Sequence, residues 1–153
     1  MVSIDNLKGA WDYQSFLVLP TAEQFSKPPK TPIPCEKWAM GQLIVPEDSK
    51  PEFRGELVFA PGVTLEVIGK IIPADGSVPA SINAKGEGFE GSTEGAVYII
   101  NGWVVPTSPK TGESVTFRGS VLSIRGPNSD PTVELGGSPA GTVGAFILTA
   151  RNE

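Results

Sequence analysis

At 153 residues the chain has the length of one ordinary domain, and 39% hydrophobic with 19% charged residues are globular values, unlike those of a disordered tail or a membrane-embedded protein. Seventeen acidic against twelve basic residues give a net charge of -5, which repels phosphate backbones and anionic lipid head groups and argues against nucleic acid and membrane partners. Histidine is absent altogether, which removes Ser-His-Asp and Cys-His catalysis, the usual zinc sites and the commonest general base near neutral pH.

One domain over 1–153 is expected. No apolar run approaches the roughly 20 residues that cross a bilayer. The opening MVSIDNLKGAW shows no basic stretch leading into an apolar one, so the expected location is the cytoplasm. Eighteen Gly and fifteen Pro are spread along the length, and apolar residues hardly ever keep helical spacing beyond two turns, which predicts an all-β protein.

The first predicted strand, AWDYQSFLVL over 10–19, puts Trp11, Tyr13, Ser15 and Leu17 on one face and Asp12, Gln14, Phe16 and Val18 on the other. The Trp11 face is assigned to the interior. Residues 20–37 follow with five prolines and favour an extended path. They hold Cys35, the lone cysteine, which has neither a disulfide partner nor a histidine to activate it. The second strand, 38–45, presents Trp38, Met40 and Gln42 inward. The third, 55–60, presents Leu57 and Phe59, and Pro61-Gly62 turns tightly into the fourth, 63–72, with Leu65 and Val67 inward.

A compact turn at 73–79 leads to the fifth strand, 80–89. The glycine-rich AKGEGFEGSTEG alternates like a strand and opens no helix, so it reads as sheet curvature and a turn and not as a phosphate loop. The sixth strand, 95–105, carries Ala96, Tyr98 and Ile100 inward, with Trp103 outward beside Arg118 as an outer-surface pair or subunit contact. After a turn at 106–113, the seventh, 114–125, brings Val115, Phe117 and Val121 inward. A second long link, 126–141, precedes the eighth strand, 142–151, which ends at Arg151.

Sequential hairpins of about eight strands predict a single antiparallel up-and-down β-barrel, since closure removes the unpaired edges of an open meander. A β-sandwich is the alternative. In the barrel the first and seventh links emerge at one end, so both long loops surround one mouth and short turns close the other end. Ordinary surface insertions would look the same in sequence.

The interior so defined is apolar and aromatic with a few hydroxyls and an amide. It offers no carboxylate cluster at metal-ligand spacing and no dinucleotide or P-loop pattern, so neither metal nor cofactor is expected. Ligand-binding candidates are Ser15, Trp38, Met40, Gln42, Phe59, Leu65 and Phe117. Tyr13 and Tyr98 are candidate catalytic hydrogen-bond donors, because a buried phenol demands a partner. Glu94, in the fifth link, is the candidate proton-transfer group.

Gly9-Ala10-Trp11 on the first strand resembles the Gly-x-Trp signature of the calycins, the superfamily of lipocalins, fatty-acid-binding proteins and avidins. The resemblance implies a barrel in which Trp11 sits at the floor beneath an arginine from the end of the last strand, here Arg151. The lipocalin Thr-Asp-Tyr motif and the avidin biotin pattern are absent, and a proline-rich link stands where fatty-acid-binding proteins carry two helices.

In mechanism the expected cavity is similar to the small barrels of allene oxide cyclase and the spirotetronate-forming cyclases, which close rings without cofactor, metal or histidine by folding a substrate into a reactive conformer. The expected function is therefore binding of a small apolar or aromatic-containing metabolite, as a cofactor-independent cyclase or isomerase of a biosynthetic pathway. The alternative is a non-catalytic intracellular carrier or sensor. A third reading is an interaction protein with a filled interior, whose outer residues Phe16, Val18 and Phe146 form a homodimer interface.

Overall fold

A computed structural model describes residues 9–17, 36–46, 51–105, 115–128 and 140–151. The eight strands are β1 Gly9–Leu17, β2 Glu36–Val45, β3 Glu52–Ala60, β4 Val63–Ile72, β5 Ser81–Glu87, β6 Val97–Val104, β7 Thr116–Arg125 and β8 Val143–Ala150. Each pairs antiparallel with the next, and β8 pairs back onto β1, closing an up-and-down barrel. Closure excludes the sandwich alternative. One turn of 3-10 helix, Gly91–Thr93, lies in the link from β5 to β6. Among the described residues no helix is long and apolar enough to cross a membrane.

Strict alternation produces this inside and outside. On β1 the buried residues are Trp11, Tyr13, Ser15 and Leu17. Opposite one another on β3 and β4 stand Leu57 and Leu65, then Gly55 and Val67, then Phe53 and Gly69, all facing in. Pro61-Gly62 makes the predicted tight turn, with Gly62 at φ 75°, and Asp75 and Val78 bridge across the turn before β5.

Two parities differ from the sequence expectation. On β2 the residues directly opposite Trp11, Tyr13 and Ser15 are Leu43, Gly41 and Ala39, so Met40 and Gln42 point outward. Trp38 nevertheless turns in, because a β-bulge interrupts the β1–β2 ladder between Ser15 and Phe16, with Trp38 as the extra residue. A bulge shifts the side-chain period by one, so the two ends of β2 obey opposite parities. On β8, Phe146 is fully buried and its ring stacks on Tyr13. It therefore belongs to the core and cannot form an outer dimer surface, whereas Trp103 and Arg118 do stand exposed and paired on the outer face.

Strong coiling depends on close backbone approach where β6 crosses β7. Gly102 and Gly119 are directly paired there. A Cβ at residue 102 would lie 2.6 Å from the Arg118 carbonyl oxygen and 2.7 Å from Phe146 Cζ, and one at residue 119 would overlap the Asn101 carbonyl. Glycine here removes bulk that a small barrel has no room for. Gly119→Ala is expected to lower unfolding free energy by about 1–3 kcal/mol, read as a lower urea midpoint with an unchanged slope. An unchanged midpoint would show that the crossing can relax.

Candidate functional site

The lower half of the barrel, towards the second, fourth and sixth links, is filled by buried apolar side chains. Phe53, Ile71, Ile82 and Phe117 are buried there, and Trp11 packs against Phe117 with ring centroids 5.6 Å apart. Trp11 thus lies among the buried side chains at the end of the barrel opposite the cavity. Its buried Nε1 has no hydrogen-bond partner among the described residues.

The upper half, towards the odd-numbered links, holds a cavity of about 210 Å³. Tyr13 and Ser15 of β1 and Leu57 and Phe59 of β3 form one side. Leu65 of β4, Tyr98 and Ile100 of β6 and Val121 of β7 form the other, and Trp38 and Thr93 stand towards the mouth. A larger depression of about 550 Å³ lies on the outside, across β2 to β5, among Glu56, Glu66, Glu87 and Arg54. Its walls mix the acids Glu56, Glu66, Glu87 and Glu90 and the cation Arg54, which pairs with Glu66 at 3.2 Å, with the exposed apolar side chains Ile44 and Phe89. The interior cavity is the less open of the two.

Aromatic contacts fix its shape. Tyr13 lies flat on Phe146, centroids 6.2 Å apart and 14° between planes, and meets the edge of Phe59 at 6.2 Å and 73°. Trp38 meets Tyr98 edge-on at 6.0 Å. The space for the indole comes from Gly144 on β8, where a Cβ would stand 2.8 Å from Trp38 Cε3.

Three hydroxyl groups supply definite polarity. Tyr13 and Ser15 hydrogen-bond each other through their side chains, and Ser15 Oγ also donates to the Ala39 carbonyl at 3.5 Å, the long limit for such a bond. Thr93 Oγ1 donates to the Thr64 carbonyl at 2.7 Å and approaches that of Glu90 at 3.2 Å. Burial pushes the Tyr13 phenol from 10.0 up to about 12, partly offset by the Ser15 hydrogen bond and reinforced by Tyr98. A phenol in that state donates a hydrogen bond across the physiological range and is no base.

Part of the rim is held by backbone. The Asn128 N–H donates to the Glu94 carbonyl at 2.7 Å, and Arg125 Nε donates to the Gly95 carbonyl at 2.6 Å, tying the fifth link to the start of the seventh. The greater parts of the two long links, 20–35 and 129–139, lie outside the described residues, as do Val18, Cys35 and the turn at 106–113.

The structure brings Tyr13, Ser15, Trp38, Phe59, Leu65 and Tyr98 together as expected. Met40 borders the cavity but is half exposed, on the outer parity. Phe117 lies below, against Trp11. Glu94 is exposed beside the mouth and does not line the cavity; its neighbour Thr93 takes that place. Arg151 does reach the start of β1, where its N–H donates to the Ala10 carbonyl at 3.1 Å. Its guanidinium, however, turns outward, with Nε donating to Asp12 Oδ1 at 2.8 Å. Gln42, with its amide oxygen towards the guanidinium, accepts there at 2.8 Å. The Gln42 expected to line the cavity thus braces the outer seam, and the arginine expected over Trp11 pairs with the next residue instead.

The lining residues not nominated from sequence are Ala39, Val63 and Thr93, with Leu57, Ile100 and Val121 placed inward but not at the site. Ala39 is hidden by the bulge, and Thr93 sits in a glycine-rich link with no period to read. Among the described residues no three His, Cys, Asp or Glu side chains gather as metal ligands. Comparison of the chain with known protein families, curated proteins and solved structures finds no match.

Two outcomes follow from these contacts. The unfolded chain releases the Tyr13 proton near pH 10.0 and the folded chain near 12, so the unfolded state binds fewer protons between these values. The phenol's contribution to stability is full below pH 10.0 and is lost as pH rises through 12, a decline of up to about 3 kcal/mol. Urea unfolding of wild type and Tyr13→Phe at about pH 9 and about pH 11.5 should show the difference between them shrinking at the higher pH; a constant difference would contradict the buried phenol. Arg151→Ala, by contrast, removes a pair that is half exposed on both sides and should cost less than about 1 kcal/mol in the same assay.

Proposed function

We propose that the protein binds a small apolar or aromatic-containing metabolite in the upper barrel cavity. The observation that carries this is the mainly apolar cavity of about 210 Å³ in the upper barrel, above a lower half of buried side chains. An apolar cavity of about 150 Å³ already holds benzene, so this one has room for a ligand of that order. The lining has the composition of a small-molecule site, mostly rings and aliphatic groups with a few placed hydroxyls. Eight-stranded up-and-down closure with a floor tryptophan supports placing the chain among the calycins, and a cytoplasmic setting without nucleic acid or membrane partners belongs to the same reading. Homodimerisation, if part of it, would use the exposed Trp103 and Arg118 side.

Within this reading the cavity acts as a cofactor-independent cyclase or isomerase. The Tyr13–Ser15 pair supports that choice, since a hydrogen-bond donor in an apolar enclosure can polarise a substrate carbonyl while the walls impose its conformation. A carrier or sensor would use the same walls without needing the donor.

A neutral bicyclic probe, 2-naphthol, tests binding. At about 100 times its Kd it should stabilise the wild type by about 2.7 kcal/mol in thermal unfolding. Val121→Phe fills the cavity and should remove that gain while the variant still melts cooperatively; a gain that persists would place the probe elsewhere. For catalysis, Tyr13→Phe or Tyr98→Phe should slow turnover of the pathway intermediate by about 10²–10³-fold. Unchanged rates in both variants would leave the carrier.

A further inference from the structure

The walls of the cavity restrict what it can hold in three independent ways. Among the described residues that line it there is no carboxylate, ammonium or guanidinium group. A charged ligand would give up its hydration and meet no counter-charge among these described lining residues. The second restriction is depth. The Tyr13 ring, lying on Phe146, separates the cavity from a further gap of only about 10 Å³ bounded by Leu43, Val67, Ile82 and Leu148. That gap is about the size of one water and has no polar side chain but Tyr13 on its boundary, so a flexible chain reaching down from the mouth is stopped at the stack.

The third restriction concerns hydrogen bonding. Thr93 is committed to the Thr64 carbonyl by a bond of 2.7 Å, whereas the Ser15 bond to the Ala39 carbonyl is 3.5 Å long. Ser15 can therefore turn its proton to a better-placed acceptor at small loss, with Tyr13 still hydrogen-bonded to it.

Building on the cavity as a ligand site, we propose that it selects a compact, uncharged ligand of about two fused rings with one acceptor directed at Ser15. In that selection Tyr13 and Phe146 together form the specificity-determining floor that excludes extended chains.

Isothermal titration of the full chain with four probes tests this. 2-Acetylnaphthalene carries the rings and the acceptor, 2-ethylnaphthalene lacks the acceptor, 2-naphthoate exchanges the methyl for a charge, and 1-dodecanol is a neutral chain of similar size. 2-Acetylnaphthalene should bind tightest, with 2-naphthoate and 1-dodecanol at least about tenfold weaker. Ser15→Ala should weaken 2-acetylnaphthalene and leave 2-ethylnaphthalene unchanged. Phe146→Ala opens the floor and should shift preference towards 1-dodecanol; Phe146→Leu, a gentler change, serves if the alanine variant does not fold. Binding of 2-naphthoate or 1-dodecanol as tight as that of 2-acetylnaphthalene overturns the selectivity and leaves the ligand site standing. If none of the four binds, the ligand site falls, and this inference with it.

Discussion

The seam between β1 and β8 joins seven residue pairs, from Trp11 opposite Ala150 to Leu17 opposite Gly144, and the rest of the molecule depends on that closure. An open meander of these strands would leave two rows of backbone N–H and C=O groups unpaired and would have one apolar face with nothing to cover it. Once closed, the same face becomes an interior sealed on all sides except the ends. Residues nearly one hundred and forty positions apart, such as Asp12 and Arg151, then become neighbours, and the pair lies along the seam it helps to align.

A closed eight-stranded barrel is just wide enough for side chains to fill it, so a cavity exists only where filling is locally withheld. In the lower half large side chains reach the axis, with Phe53, Phe117 and Ile71 all buried. Higher up the inward residues on β2 include the small Ala39 and Gly41, with Ala39 on the cavity wall, while Gly144 on β8 makes room for the Trp38 indole. Trp38 enters it only through the bulge, and the stack of Tyr13 on Phe146 marks where filling resumes. The cavity is thus a consequence of residue size along the axis and not of a separate binding motif.

The chemistry of that space follows from the same burial. Apolar walls hold the Tyr13 phenol in its neutral form, which suits it to donate and unsuits it to abstract a proton. With Glu94 exposed outside, the described cavity wall contains no acid or base that titrates near neutrality.

The amino-acid sequence by itself determined the strand count, the boundaries to within about three residues, the all-β class and the inward faces of β1, β3, β4, β6 and β7. These follow from a period of two and from turn residues, both of which are local properties of the chain. Only the tertiary structure decided the faces of Met40, Gln42 and Phe146, the outward turn of Arg151 and the entry of Thr93. Each depends on something that alternation does not encode: an extra residue in one ladder, a ring that finds its partner on a distant strand, or an exposed carboxylate at residue 12 competing for a guanidinium. A single bulge reverses every side chain beyond it, so of the three inward residues read on β2 Trp38 was right and Met40 and Gln42 were not.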